Sequence, residues 1–212
     1  RVQVVNLTTK TMSTLAWGTF WDFDWVWATA QFKRPTKLDL SKDKWTLYVV
    51  DSWNNKVKKI DVVTGQVTTL FTNPRAITDI ALDEDLNILY YWDYGTARSW
   101  DRWVYSYSIN SGISRMVLRR SAWAEYWTQS HRPIWLDFDQ QTKELYVLFQ
   151  TVNWSDDYVW DFISRYNTLS QSYTLISWFE NSYNARFDYR GNIEWLWTDI
   201  RYNWVWSISY DS

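Results

Sequence analysis

The chain has 212 residues, a net charge of −2, one histidine and no cysteine. A charge balance this close to neutral argues against nucleic acid or an anionic membrane surface as a partner. Without cysteine the chain has no disulfide and no thiolate metal site, and no apolar run approaches the ~18 residues that a spanning helix needs. We therefore expect one domain over residues 1–212, without membrane insertion.

Short runs rich in Val, Ile, Tyr and Thr recur along the whole chain, each bounded by turn residues. Runs of this length and composition favour β-strands over helices. In chain order the main ones are VQVVNL, KLDL, TLYVV, KVKKI, QVTTL, NILYY, VYSYSI, ELYVLF and FISRY. The pattern predicts an all-β protein.

The three prolines mark an internal repeat. Pro35, Pro74 and Pro133 each precede a short strand, a Leu-Tyr strand, a third strand, a turn and a fourth strand. Their spacing brackets the period of roughly 40 to 50 residues that is typical of propeller blades, and insertions at 95–103 and 119–132 lengthen the second step. Four antiparallel strands in each repeat predict a β-propeller.

The strand count predicts between four and five blades. We expect a partial blade at each end and three complete blades between them, with bounds 1–16, 33–73, 74–120, 133–179 and 182–210. We interpret the chain as a fragment of a longer propeller protein. In the alternative, the ring closes within this chain, and the strand TMSTLA becomes the fourth strand of the last blade.

The first complete blade resembles an NHL repeat. Residues 34–71 contain Pro35 before a short strand, then Leu-Tyr-Val-Val-Asp, then a turn glycine followed by Val-Thr-Thr-Leu. Residues 14–32 resemble the glycine-rich loop that connects NHL blades. The resemblance is close over residues 1–73 and moderate over 74–118. It implies six blades, and it implies a part of a large extracellular or envelope protein of a bacterium.

Tryptophan is abundant and glycine is scarce, with 19 and 5 residues. Alignment of the blades places Trp53 where the next blade has Gly95, and Trp45 where other blades have Asn87 and Gly191. Glycine and asparagine tolerate positive φ, so we expect positive φ at Trp45 and Trp53. Further tryptophans occupy glycine positions of the family loop, namely Trp17, Trp21, Trp25 and Trp27.

This pattern suggests an alternative genetic code, in which UGA codons read as glycine in the cell are written here as tryptophan. Trp103, Trp195, Trp197 and Trp206 fit strands as genuine tryptophans. In the alternative, all 19 are genuine and form an aromatic platform on which sugar rings stack.

Candidate chemistry is sparse. His131 is the single histidine, so a multi-histidine zinc or copper centre is excluded, and we interpret its sequence QSHRP as a solvated loop. Two close acidic pairs could offer oxygen ligands to Ca²⁺, but without EF-hand spacing we interpret them as turn formers. These pairs are Asp22 with Asp24 and Asp156 with Asp157.

Three further groups have scaffold or surface interpretations. Asp51 and Asp93, at the ends of the Leu-Tyr strands, are expected to cap the turns that follow. The lysines of KVKK, residues 56–59, are expected on a solvated strand face. Asn6 and Asn153 fit glycosylation sequons, which matter only in a eukaryotic secretory protein.

No residue is assigned a catalytic, cofactor-binding or metal-binding role, and no cofactor is expected. The leading hypothesis is a binding or scaffold module that engages a protein or glycan through its blade loops. The alternative is a metal-dependent hydrolase or lyase whose remaining ligands lie outside these residues. RNA binding requires a basic face, against which the net charge argues.

Overall fold

A computed structural model describes residues 2–16, 22–26, 29–93, 103–118, 130–152, 158–180, 185–187 and 193–195. Within these ranges the protein is all-β, apart from short 3-10 turns at Thr29 and at Ser52–Asn54. No helix in the described ranges is long and apolar enough to cross a membrane.

Three four-stranded sheets follow one another, with a two-stranded sheet at each end of the chain. The first pair is β1 (Val2–Asn6) and β2 (Thr11–Ala16). The first blade has β3 (Pro35–Leu40), β4 (Thr46–Asp51), β5 (Lys56–Asp61) and β6 (Val67–Thr72). The second has β7 (Ile77–Asp83), β8 (Ile88–Asp93), β9 (Val104–Ser108) and β10 (Ile113–Leu118).

The third blade has β11 (Ser130–Asp139), β12 (Glu144–Val152), β13 (Tyr158–Asn167) and β14 (Ser172–Glu180). The last pair is β15 (Ala185–Phe187) and β16 (Ile193–Trp195). Within each blade, strands that are consecutive in sequence are neighbours and pair antiparallel. Repeated four-stranded antiparallel sheets confirm the predicted all-β fold of propeller blades.

The first strand of every blade has an irregular register near its start. The shift lies between Pro35 and Leu38 in β3, between Ile77 and Asp79 in β7, and between Pro133 and Trp135 in β11. Proline donates no N–H, so it is tolerated where the ladder is already interrupted. A bulge also changes the direction in which the side chains that follow it point.

The hydrophobic core lies between blades. One cluster joins the first blade to the second and includes Tyr48, Val57, Ile80, Leu82 and Leu89. Another joins the second to the third and includes Tyr90, Trp92, Leu136, Phe138 and Leu145. Each Leu-Tyr strand is covered on both faces, which explains why its sequence is continuously apolar rather than alternating.

The expectation of positive φ at Trp45 and Trp53 is wrong. The left-handed residues of these turns are Lys44, with φ 64°, and Asn55, with φ 56°. The left-handed residue immediately precedes Trp45 in the first of these turns and follows Trp53 by two places in the second. Trp45 and Trp53 are 58% and 54% exposed.

In the second and third blades, the turn between the first two strands does have its left-handed residue at the position that Trp45 occupies in the first. Asn87 has φ 52° and Lys143 has φ 57°. The turn therefore favours a left-handed residue at this place in two of the three blades, and the first blade departs from that pattern.

Candidate functional site

Two carboxylates join the first strands of consecutive blades. An Asp39 oxygen accepts a hydrogen bond from the backbone N–H of Leu82 at 2.9 Å. One blade further on, Asp79 Oδ2 accepts from the backbone N–H of Leu136 at 2.8 Å. These bonds fix the spacing of β3, β7 and β11, the strands along which the blades meet.

Asp79 has the more perturbed environment of the two. Burial raises its pKa to about 7, against opposition from Lys37, whose Nζ lies 3.5 Å from Oδ1. Burial likewise raises the pKa of Asp39 to about 6. A carboxyl group that titrates near neutrality could in principle move protons. Both Asp79 oxygens are occupied, however, since Oδ1 also accepts from the N–H of Ile80.

The acidic pair Asp22 and Asp24 surrounds a buried lysine. Lys58 Nζ lies 2.8 Å from Asp22 and 2.9 Å from Asp24, and it donates to the carbonyl of Gln31 at 3.1 Å. The Lys58 side chain is fully buried. Its burial opposes the charge, but the hydrogen bonds to the two aspartates outweigh that effect and raise the pKa of Lys58.

Two expectations about these residues are wrong. Asp22 and Asp24 do not bond their own turn: Asp22 pairs with Lys56 and Lys58, while Asp24 pairs with Lys58 and accepts from the N–H of Thr69. Lys58 is not on a solvated face, because its strand is covered on that side by the segment around Phe32. The site is an ion cluster in which the buried Lys58 ammonium group pairs with two partly exposed aspartates.

Asp51 and Asp93 have the predicted scaffold role. Asp51 accepts from the backbone N–H of Lys33 at 2.5 Å and from the Asn54 side chain at 2.8 Å. It accepts no hydrogen bond from the backbone of the following turn, so the expected cap is wrong at Asp51. Asp93 accepts from the Asn73 side chain at 2.9 Å. Each aspartate thus ties the end of a second strand to the segment that enters the same blade. The turn after Asp93 lies outside the described residues.

The remaining predicted residues carry no described site. His131 belongs to β11, where it pairs with Thr151, so the expectation of a loop is wrong for its backbone. The pair Asp156 and Asp157, the sequon at Asn153 and most of the two insertions lie outside the described residues. In the described ranges, no group of three or more His, Cys, Asp or Glu could hold a metal ion.

An open cavity of about 670 Å³ lies between the second and third blades. Its second-blade wall uses alternate residues of β8, β9 and β10, which share one face of the sheet. Its third-blade wall is the hairpin between β13 and β14. The residues that line it are Leu86, Ile88, Tyr90, Ser106, Ser108, Ser111, Ile113, Arg115, Met116, Val117, Tyr166, Thr168 and Gln171.

The middle of the second-blade wall is a row of three side chains across the sheet. Tyr90 pairs with Ser106, and Ser106 pairs with Arg115. Arg115 is exposed and forms no ion pair within the described part of the chain. At the corresponding row of the third blade, Arg165 pairs with Tyr146 across the strands, and its guanidinium contacts Glu144 at 3.3 Å.

The cavity phenols are neutral hydroxyl groups over the physiological range. Burial raises the pKa of Tyr90 and of Tyr166 above the usual value for tyrosine. No carboxylate and no imidazole is present among the described residues of the lining. The sequence prediction missed this cavity. The signal was available in VYSYSI, where Ser106 and Ser108 occupy the face that apolar residues would fill in a closed blade contact.

Comparison with known proteins supports the fold and leaves the activity open. No family model matches the chain, and no curated protein matches its sequence. Among solved structures, it is similar to hydrazine synthase of Kuenenia stuttgartiensis, with 16% identity and a TM-score of 0.61. The match covers 89% of this chain and 53% of that one.

A second similar structure is a structural genomics protein of unknown function from Bacteroides thetaiotaomicron, with 20% identity and a TM-score of 0.50. The match covers 78% of this chain and 37% of that one, so the chain spans less than two thirds of either structure. Identities this low show the fold alone, which is a β-propeller. A hydrazine synthase is an enzyme, so the fold admits catalysis without determining it.

Proposed function

We propose that the chain is a non-catalytic binding or scaffold propeller that engages a protein or glycan. The observation that carries the proposal is the cavity between the second and third blades, whose described lining offers hydroxyl, amide, guanidinium, aromatic and aliphatic groups. Such groups orient a ligand through hydrogen bonds and apolar contact. They include no carboxylate or imidazole to transfer protons near neutral pH or to bind a metal.

The placement of the other acidic residues supports the same conclusion. Asp22 and Asp24 are paired with Lys58, and Asp51 and Asp79 accept hydrogen bonds from backbone N–H groups. Each of these carboxylates is committed to holding strands or blades together. The alternative hydrolase or lyase has no support from the described residues.

The wider context follows from the repeat pattern. We infer an NHL-type propeller of six blades that belongs to a larger secreted or cell-surface protein. The Pro35 strand, the Leu-Tyr-Val-Val-Asp strand and the turn at Gly65 support the family assignment. The partner is a protein or glycan, not a nucleic acid, and the propeller does not insert into a membrane.

A direct test of binding compares two substitutions that each introduce a tryptophan side chain. The full chain would be applied to a printed array of neutral and acidic oligosaccharides and to an array of peptides. Ser106→Trp fills the cavity, whereas Lys59→Trp adds an indole at the corresponding place on the first blade, where Lys59 pairs with Tyr48. Signals lost only with Ser106→Trp support the proposal. Signals that survive it, or no signal from the unmodified chain, contradict it.

We further infer that the tryptophans at family glycine positions, including Trp45 and Trp53, are encoded by UGA and read as glycine in the source organism. The absence of positive φ at these two residues removes one argument. Two others remain: the left-handed Asn87 and Lys143 at the position of Trp45, and the large exposed fraction of both indoles.

One tryptic peptide tests the recoding. Cleavage after Lys44 and Lys56 releases residues 45–56, which contain both tryptophans. Mass spectrometry of the protein purified from its natural source should give the mass with two glycines, and the gene should have TGA at both codons. A peptide with two tryptophans, or TGG codons, would refute recoding at these positions.

A further inference from the structure

We propose that the cavity between the second and third blades binds an anionic saccharide, with a carboxylate of the sugar on the guanidinium of Arg115. This rests on the proposed binding function and adds the chemical class of the ligand. It also adds the residue that selects for charge.

Arg115 differs from Arg165 and Lys58 in its ion pairing. Arg165 has Glu144 as its partner, and Lys58 has Asp22 and Asp24. Arg115 has no ionic partner in the described ranges, although it lies on the wall of a cavity. A guanidinium presents a planar fork of N–H donors that fits a carboxylate with two parallel hydrogen bonds.

The hydroxyl groups beside Arg115 indicate a sugar. Ser106, Ser108 and Ser111 on the second blade and Thr168 on the third all line the cavity. The Ser106 and Thr168 hydroxyl groups donate to backbone carbonyls, so their oxygens are left to accept hydrogen bonds from the hydroxyl groups of a saccharide. Aliphatic neighbours such as Ile113 provide contact for the C–H faces of the ring.

The third-blade wall supplies a second recognition surface. Tyr166 offers an aromatic ring with a neutral hydroxyl at its end, which suits a ligand that is apolar on one face and polar at its edge. Gln171 is held in the turn by a left-handed conformation, with φ 55°. Gln171 lines the cavity from this turn.

A peptide ligand fits this geometry less well. Extended peptides bind commonly by adding a strand to an exposed sheet edge. The wall here is the face of a sheet in which β8 and β9 are each paired on both sides and β10 is the edge strand. A peptide added to the free edge of β10 would extend the sheet in its own plane, whereas the side chains that line the cavity project from the face of the sheet. A ligand in the cavity therefore meets side chains, and hydroxyl-rich recognition is favoured over strand addition.

Isothermal titration of the full chain would test the proposal with three probes. Trimannuronate has the charge and the sugar hydroxyls, its methyl ester keeps the sugar without the charge, and hexaglutamate has charge without a sugar. We expect trimannuronate to bind the unmodified chain at least about tenfold more tightly than either other probe. Arg115→Gln should weaken this binding by at least about tenfold.

Arg165→Gln is the matched control, because it removes a paired arginine from the corresponding row of the third blade. It should leave the affinity for trimannuronate within about twofold. The proposal is overturned if trimannuronate does not bind at millimolar concentration, if Arg115→Gln binds it unchanged, or if hexaglutamate binds equally well. If the methyl ester binds equally and Ser106→Trp abolishes that binding, the module still binds glycans and only the inference about charge fails.

Discussion

The inner and outer halves of the gap between the second and third blades differ in how closely their side chains pack. The inner half is closed by packed side chains such as Leu136 and Phe138, and the Asp79 carboxylate is bonded to the facing strand. The outer half, lined by Ser106 and Arg115, is open. One interblade contact thus provides cohesion near the first strands and a cavity near the fourth.

The inner half is closed and the outer half is open because different residue types occupy the same row on one face of the second blade. On β8, Tyr90 is buried against Phe138, and their ring centroids are 5.5 Å apart. Two strands outward, Arg115 at the same height keeps its charged group in solvent, as a long cation does when it lacks a partner. Along the row from Tyr90 to Arg115, the sheet face of the second blade changes from apolar to polar. The third blade packs only against the apolar part.

The largest expected effect comes from a cavity in the inner half. Leu136 is completely buried in the cluster that joins the two blades. Leu136→Ala should lower the free energy of unfolding by about 2–5 kcal/mol, because both transfer energy and packing are lost. Urea unfolding followed by tryptophan fluorescence measures this. A loss no greater than that of Ser106→Ala in the outer half would contradict the division.

A change in pH dependence should accompany loss of the buried carboxyl group in the inner half. The pKa of Asp79 is about 7 in the folded protein and has an ordinary value of 3.8. The folded state thus holds the proton more tightly, and this contribution to stability is complete below pH 3.8 and is lost as the pH rises through 7.

Asp79→Asn cannot ionise and keeps one oxygen to accept from Leu136, while its NH₂ group replaces the oxygen that accepts from Ile80. We expect the free energy of unfolding of the variant to decline less than that of the unmodified chain between about pH 4.5 and about pH 8, by on the order of a few kcal/mol. Asp39, whose pKa is about 6, leaves part of the decline in place. Urea unfolding across this pH range measures the decline for the variant and for the unmodified chain. An unchanged slope would show that Asp79 is ionised at little cost.

The smallest expected effect lies in the outer half. Arg115→Gln should change the free energy of unfolding by no more than about 0.5 kcal/mol, because Arg115 is exposed and has no ionic partner within the described residues. The same urea measurement applies. A substantial loss of stability would identify Arg115 as part of the interblade contact, and any effect of the variant on binding would then need a structural explanation.

The sequence predicted the strands well because each depends on local chemistry. Pro35 opens β3 and Pro74 precedes β7, whereas Pro133 lies within β11, which begins three residues earlier than predicted. The Leu-Tyr runs became the doubly covered β4, β8 and β12. Turn conformation was predicted less well. Trp45 was assigned positive φ from alignment with Asn87, yet Lys44 adopts it, so equivalent turns of two blades place the left-handed residue one position apart.

The composition and the periodicity of the chain determined an all-β repeat of four-stranded units, since apolar runs of strand length must be covered and turn residues limit them. Only the tertiary structure decided which polar residues face a neighbouring blade. Lys58 and Arg115 are both cations on strands. The segment with Asp22 and Asp24 covers Lys58, whereas no described carboxylate reaches Arg115. That difference depends on contacts between residues distant in sequence, which strand patterns do not encode.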